Sequence, residues 1–366
     1  MARPRVVKTP AVSDPDATPD SRLQMADIAR MSGVALSTVS RALSGSPLVN
    51  VETRTRIMEL ARSLGYTVNA TAQNLRRQQN NTVALIVPFD RVSREHLSDP
   101  FFLSLIGSIA DALTERGYEV LLSRVDDEQL SSAAQQYETR RAAGIILIGQ
   151  WHHHDQLNEM AVRGVPLAVW GAQLPRQLYC TVGSDNVLGG RLATEHLLSQ
   201  GCRQIAFIGD PALPEIGQRY QGYVEAHAAR GLPVNPDLCS GSPFVRDAIQ
   251  HDVERLVKNI PAVDGIFASS DLAAMTAIAT LRRLGREVPR DVAVVGYDDI
   301  ELAAFSHPPL SSVRQPIQAG GRALVALLIE QLEGRRPASV LLDTELVVRE
   351  SSAKQTSLSD DSKCTT

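Results

Sequence analysis

Between Leu23 and Leu64, apolar residues recur at helical spacing in three short groups. These are Met25, Ile28 and Ala29; Val39 and Leu43; and Ile57, Leu60, Ala61 and Leu64. Gly33 separates the first two, so the spacing predicts three short helices with a glycine turn between the first pair, a helix-turn-helix pattern. After Thr82 the period changes. Val83 to Val87, Tyr118 to Leu122, Gly144 to Ile148, Pro166 to Trp170, Gln204 to Ile208, Gly265 to Ala268 and Val292 to Val295 are short runs, apolar on both faces, alternating with amphipathic helical stretches. Strands of that kind suit parallel sheets covered by helices and reached through β-α-β crossovers. A body of roughly 270 residues is larger than one core usually serves, so two α/β subdomains are expected, with a ligand site in the cleft between them.

Residues 1 to 21 and 351 to 366 are polar and aperiodic, and are expected to be disordered tails. The 366 residues are 43% apolar and 21% charged, ordinary for a soluble globular chain. The formal charge of −4 hides an asymmetry: residues 1 to 81 hold 11 Lys and Arg against 6 Asp and Glu, the remainder 26 against 35. A small basic head on a larger acidic body points to nucleic acid as the head's partner. Cys180, Cys202, Cys239 and Cys364 are far apart with no C-x-x-C pair, which suggests reduced thiols and neither a disulfide framework nor a zinc site. No run of 18 apolar residues occurs, and the first residues lack the apolar core of an export signal, so a cytoplasmic protein without a membrane partner is expected. No dinucleotide-binding glycine pattern, Walker A loop or nucleophile elbow is present, so neither enzymatic activity nor a cofactor is expected. His152, His153 and His154 are adjacent, an arrangement that rarely converges on one ion, and are read as a loop near the ligand mouth, with no metal site.

Asp27-Ile28-Ala29, Ser32-Gly33-Val34 and Thr38-Val39-Ser40-Arg41-Ala42-Leu43, continued by Gly65-Tyr66, Asn69 and Ala72-x-x-Leu75, resemble the lactose/galactose repressor (LacI/GalR) family. The resemblance implies a DNA-binding domain over residues 22–68 and a hinge helix or linker over 69–81. Gly33 allows the tight turn, and Val34, Val39 and Leu43 are expected to face inward. Leu36, Ser37 and Arg41 then project toward base edges, with Arg41 able to fork onto guanine O6 and N7. Thr38, Ser40, Thr53 and Arg54 suit phosphate contacts. Ala35 stands where the family commonly has Ser or Thr, so the second helix lacks a side-chain cap. The segment Asn69 to Gln78 is too short and polar to hold a helix alone. In the family the matching helix folds on the operator, pairs with its twin and inserts a Leu into the minor groove; Leu75 falls on that position and Ala72 on the small residue that lets the two helices approach.

Residues 82–350 resemble the periplasmic sugar-binding-protein fold that the family carries as its sensor. Asp99-Pro-Phe-Phe102, Ser184-Asp-Asn-Val-Leu-Gly-Gly190, Arg219 with Gly222, Ser269-Ser-Asp271, Val294 to Asp299 and Pro309 to Gln315 carry the likeness. An N-subdomain over 82–181 and 312–336 and a C-subdomain over 182–311 and 337–350 are expected. Sugars call for planar hydrogen-bonding side chains and an aromatic face. Arg219, Asp271 and Asp298 are the expected polar contacts, Phe102, Trp170 and Phe244 the walls, and Gln150, Gln315 and Asp90 further candidates. The expected protein is a homodimeric repressor on pseudo-palindromic double-stranded operator DNA, controlled by a small effector. A neutral saccharide is the first expectation for it, α-glucosides such as maltose among them, with a purine or phosphorylated sugar as alternatives. The competing reading is a sugar-binding protein or carbohydrate-active enzyme whose N-terminal helices only pack.

Overall fold

The computed structural model describes residues 23–66, 80–89, 97–241 and 245–353. The chain divides into two compact units, Met1–Gln79 and Asn80–Thr366. In the first, α1 (Met25–Ser32), α2 (Leu36–Leu43) and α3 (Val51–Ser63) enclose a small core of Ile28, Val39, Ala42, Ile57 and Ala61. Val34 and Leu43 pack against its edge, as the spacing implied. Gly33 ends α1 in the left-handed region at φ 66°, and its N–H is bonded to the Ala29 carbonyl. A side chain there would be strained, so glycine sets the α1–α2 angle. Gln24 and Asp27 cap α1 reciprocally, and Asn50 caps α3 by accepting from the Glu52 N–H at 3.0 Å. Ala35 gives α2 no side-chain cap.

The second unit holds two sheets. All seven runs read from the sequence are strands: β1 (Thr82–Phe89), β2 (Glu119–Asp126), β3 (Gly144–Ile148), β4 (Leu167–Trp170), β6 (Ile205–Ile208), β8 (Gly265–Ala268) and β9 (Ala293–Asp298). Five more complete the sheets: β5 (Cys180–Ser184), β7 (Cys239–Ser240), β10 (Ser311–Arg314), β11 (Val340–Leu342) and β12 (Glu345–Val347). The N-subdomain sheet runs β11-β5-β4-β3-β1-β2 and the C-subdomain sheet β12-β10-β9-β8-β6-β7. Every pairing is parallel except that of β10 with β12. Both faces of each sheet are covered. Val83, Leu85 and Val87 pack under α4 (Pro100–Thr114) and α10 (Ile317–Leu332), while Ala84 and Ile86 meet Leu157 and Met160 of α5 (His154–Val162). In the other subdomain, Phe207 and Tyr297 pack beneath α6 (Asn186–Ser199) and α7 (Pro214–Ala229). On the opposite face, Ile266 and Val294 meet α8 (Arg246–Asn259) and α9 (Asp271–Arg283).

The subdomain boundaries move. Residues 182–184 and 340–342 join the N-subdomain sheet, and 312–314 the C-subdomain sheet, because their backbones complete those ladders. Three crossings therefore join the subdomains, after Ser184, after Arg314 and after Leu342. Ser351 and Ser352 were expected in the disordered tail and belong instead to the body. Ser351 and Ser352 are buried, and the Ser351 N–H is bonded to the Pro309 carbonyl while its Oγ donates to that of Val294. Among the described residues no helix is long and apolar enough to cross a membrane.

Candidate functional site

On the head, Leu36 is 48% exposed at the start of α2, and Ser37 and Arg41 are exposed one turn apart on the same helix. Val39 and Ala42 turn into the core, so the helix has one packed and one presented face. Thr38 and Ser40 are half-buried at its margin. Thr53 and Arg54 sit in the first turn of α3, where the Arg54 guanidinium donates to the Gly45 carbonyl at 3.4 Å. Asn69, Ala72 and Leu75 lie outside the described residues.

The body carries a cleft of about 550 Å³ between its subdomains. Phe102, Trp170, Arg219, Asp298 and Gln315, five of the expected residues, line it. Phe101 stands between Phe102 and Trp170, with ring centroids 5.6 and 5.9 Å away, and Trp151 adds a fourth ring. Close approach of α6 and α7 positions Arg219: a Cβ at Gly190 would collide with the Arg219 backbone, and one at Gly222 with that of Val187. Buried Arg219 donates through Nε to Asn186 Oδ1 at 2.9 Å and through Nη1 to the Ser269 carbonyl at 2.5 Å, with its Cζ 3.7 Å from the Tyr297 ring centroid. The charge is thus held against an aromatic face.

Asp298 and Asp299 both have positive φ, 112° and 51°. Such backbone persists only where neighbours hold it, at about 1–3 kcal/mol each. Asp271 is one of those neighbours. It is completely buried, accepts from the Ile300 N–H at 2.8 Å and from Ser312 Oγ at 2.5 Å, and does not line the cleft. The expectation of a direct ligand contact there is corrected: its carboxylate is consumed in shaping the turn that presents Asp298. Gln150 is corrected likewise. Its Nε2 donates to the Ala172 carbonyl and to the Tyr179 hydroxyl, which places its side chain behind the cleft wall. Gly171 makes room for it, since a Cβ there would run into the Gln150 amide. Asp90 and Phe244 lie outside the described residues.

The sequence reading missed Asp99, Glu215 and Trp151 as lining residues. Asp99-Pro100 at the start of α4 was a legible signal, because Asp before a helix-opening proline is a cap whose carboxylate sits at a strand-to-helix loop. Nothing local marks Glu215. It sits one turn before Arg219, and its carboxylate accepts from the backbone N–H of Gln150 across the cleft. Gln218 Nε2 makes a second crossing bond, to the Gln173 carbonyl at 3.0 Å. Burial raises the carboxyl pKa of Asp99 and Glu215, opposed at Asp99 by the Phe101 N–H and at Glu215 by backbone N–H donors and Arg219. Burial also pushes Asp298 up to about 7, with Arg219 pulling it down and Asp99 pushing it further up. The cleft therefore gathers three carboxyl groups, of Asp99, Glu215 and Asp298, beneath aromatic walls, within reach of hydroxyl groups. His154 meets Tyr179 Oη at 2.9 Å and the Pro175 carbonyl at 3.1 Å, and no cluster of potential metal ligands occurs among the described residues.

Residues 24–69 match the model for bacterial regulatory proteins of the lacI family, and residues 194–352 match a periplasmic binding protein-like domain. The HTH-type transcriptional regulator CelR of Thermobifida fusca is 36% identical over 334 residues, covering 88% of this chain and 96% of that protein. The HTH-type transcriptional repressor CytR of Escherichia coli K12 is 30% identical, covering 89% and 95%. A solved CelR–cellobiose complex aligns with a TM-score of 0.68 at 33% identity, over 90% of this chain and all of that one. With a head whose α2 presents Leu36, Ser37 and Arg41, two parallel sheets around a cleft, and relatives matched over nearly their whole length, the chain belongs to the LacI family of bacterial transcriptional regulators.

Proposed function

We propose that this regulator is a cytoplasmic homodimeric repressor of a pseudo-palindromic operator, released or tightened by a neutral saccharide in the cleft. The cleft carries the reading. Arg219, Asp298 and Gln315 offer donors and acceptors to vicinal hydroxyls, while Phe101, Phe102, Trp151 and Trp170 offer faces to the C–H side of a sugar ring. Its volume lies within the usual range for small-molecule sites and has room for more than one ring. An α-glucoside finds no support in the relatives. The sugar named for a related solved structure is cellobiose, so a β-linked glucose disaccharide replaces maltose as the first candidate. Regulators rather than enzymes surround the chain in similarity, and the cleft is read as a sensor.

On the head, Leu36, Ser37 and Arg41 read bases, while Thr38, Ser40, Thr53 and Arg54 orient the helix on phosphates. Asn69, Ala72 and Leu75 form the conditional hinge, with Leu75 as wedge. A hundredfold change in operator affinity requires the effector to distinguish two forms by only about 2.7 kcal/mol.

Selection of the full chain on random double-stranded DNA, followed by affinity measurements with and without cellobiose or maltose, tests the reading. Enrichment of paired half-sites and a shift of at least tenfold with cellobiose are expected. Failure to enrich any site removes the operator claim. Absence of both an affinity shift and a melting-temperature rise with either disaccharide removes the saccharide claim.

A further inference from the structure

The three crossings between subdomains are hydrogen-bonded to one another and to the cleft. After β5, Ser184 Oγ donates to Gln315 Oε1 at 2.7 Å, joining the first crossing to the second. Gln315 Nε2 then donates to Asp298 Oδ1 at 2.6 Å, and the Gln315 N–H to the Asp298 carbonyl at 3.3 Å. The first crossing also reaches the third, through the Asp185 N–H to Thr344 Oγ1 at 3.0 Å. A second arm leads back to the cleft: Asn186 Nδ2 donates to the Ser184 carbonyl at 3.2 Å, and Asn186 Oδ1 receives Arg219 Nε. Ser184, Asn186, Asp298 and Gln315 are all at least 95% buried.

We infer that Ser184, Gln315 and Thr344 tie the three crossings into one switching element whose inputs are Asp298 and Arg219. This rests on the reading of the cleft as an effector site. A buried donor or acceptor left unmade is costly, so one crossing cannot rotate without disturbing its partners. Asp298 touches both the cleft and Gln315. A sugar hydroxyl donating to its carboxylate draws on the same charge that receives Gln315 Nε2, and thereby biases the geometry at the second crossing. Ser184 and Thr344 are positioning residues: neither lines the cleft.

Hydrogen exchange of the full-length protein tests this without requiring the effector. Ser184→Ala and Thr344→Val are compared with wild type at segments 184–186, 315–317 and 342–345, with the β1 amides as reference. At least tenfold faster exchange at all three segments is expected in either variant, with β1 unchanged. Acceleration confined to the altered segment, or equal acceleration in β1, overturns the inference. The second measurement is the ratio of selected-operator affinities with and without cellobiose. Where wild type responds, Ser184→Ala is expected to shrink that ratio at least fivefold while the cellobiose Kd moves less than threefold. Equal loss in both assigns Ser184 to binding and overturns its role as a coupler. A wild type indifferent to cellobiose counts against that sugar as effector, and exchange still decides on the linked crossings.

Discussion

In the head, Leu36, Ser37 and Arg41 stand on one exposed helix of eight residues. In the body, Asp99, Glu215, Asp298 and Gln315 reach one cleft from separate segments, and each already holds a hydrogen bond to a protein partner. The head's contacts are therefore nearly independent of one another, while those of the cleft form a network in which each group holds another in place. Removing a residue should produce a local deficit in the first case and a spreading one in the second.

Arg219→Leu provides the largest break in this contrast. It removes the bonds to Asn186 and Ser269 and the charge over Tyr297, and is expected to weaken cellobiose binding more than a hundredfold by calorimetry. Operator affinity without sugar should change little if head and cleft are separable, and a comparable loss there would defeat the comparison. Arg41→Ala is the mirror experiment. It should cost specific operator binding about 1–3 kcal/mol and relax preference at one base position, with sugar affinity unchanged. Retention of both affinity and base preference would remove Arg41 from the reading face.

A smaller effect separates the two regions by pH. The Asp298 carboxyl lies near 7 in the folded protein against 3.8 ordinarily, so between those values the folded state binds the extra proton. Its contribution to stability is greatest at the acid end of this window and is lost as pH rises through about 7. Melting of the body should fall by about 5 °C more between pH 5 and 8 in wild type than in Asp298→Asn. Parallel profiles for the two proteins would contradict the assignment. The smallest expected change belongs to the head: Ala35→Ser supplies the missing cap of α2 and should raise head stability by about 0.5–2 kcal/mol in thermal unfolding. Base preference should be unaltered.

Periodicity alone was enough for α1 to α3 and for seven strands, because continuous apolar runs and 3.6-residue spacing are local signals. β11 and β12 were not legible: their residues are half-exposed or exposed, and the sheet edges they join come from distant segments. The same limit explains the errors at the site. Asp271 follows a strand end just as a ligand contact would, and only the approach of Ile300 and Ser312 shows that its carboxylate is spent. Glu215 reads as an ordinary acidic residue in a first helical turn, until α7 brings it to the Gln150 N–H on the other subdomain.

The sequence by itself determined the class of the protein and which face of α2 packs and which stays exposed, since both depend on neighbours three and four residues apart and on motifs that survive as strings. Tertiary structure decided where the subdomains exchange strands, which carboxylates face the cleft, and that Ser184, Gln315 and Thr344 are linked. Those features arise from residues far apart in the chain whose bonds exist only after both sheets have formed, and no local pattern encodes such a partner.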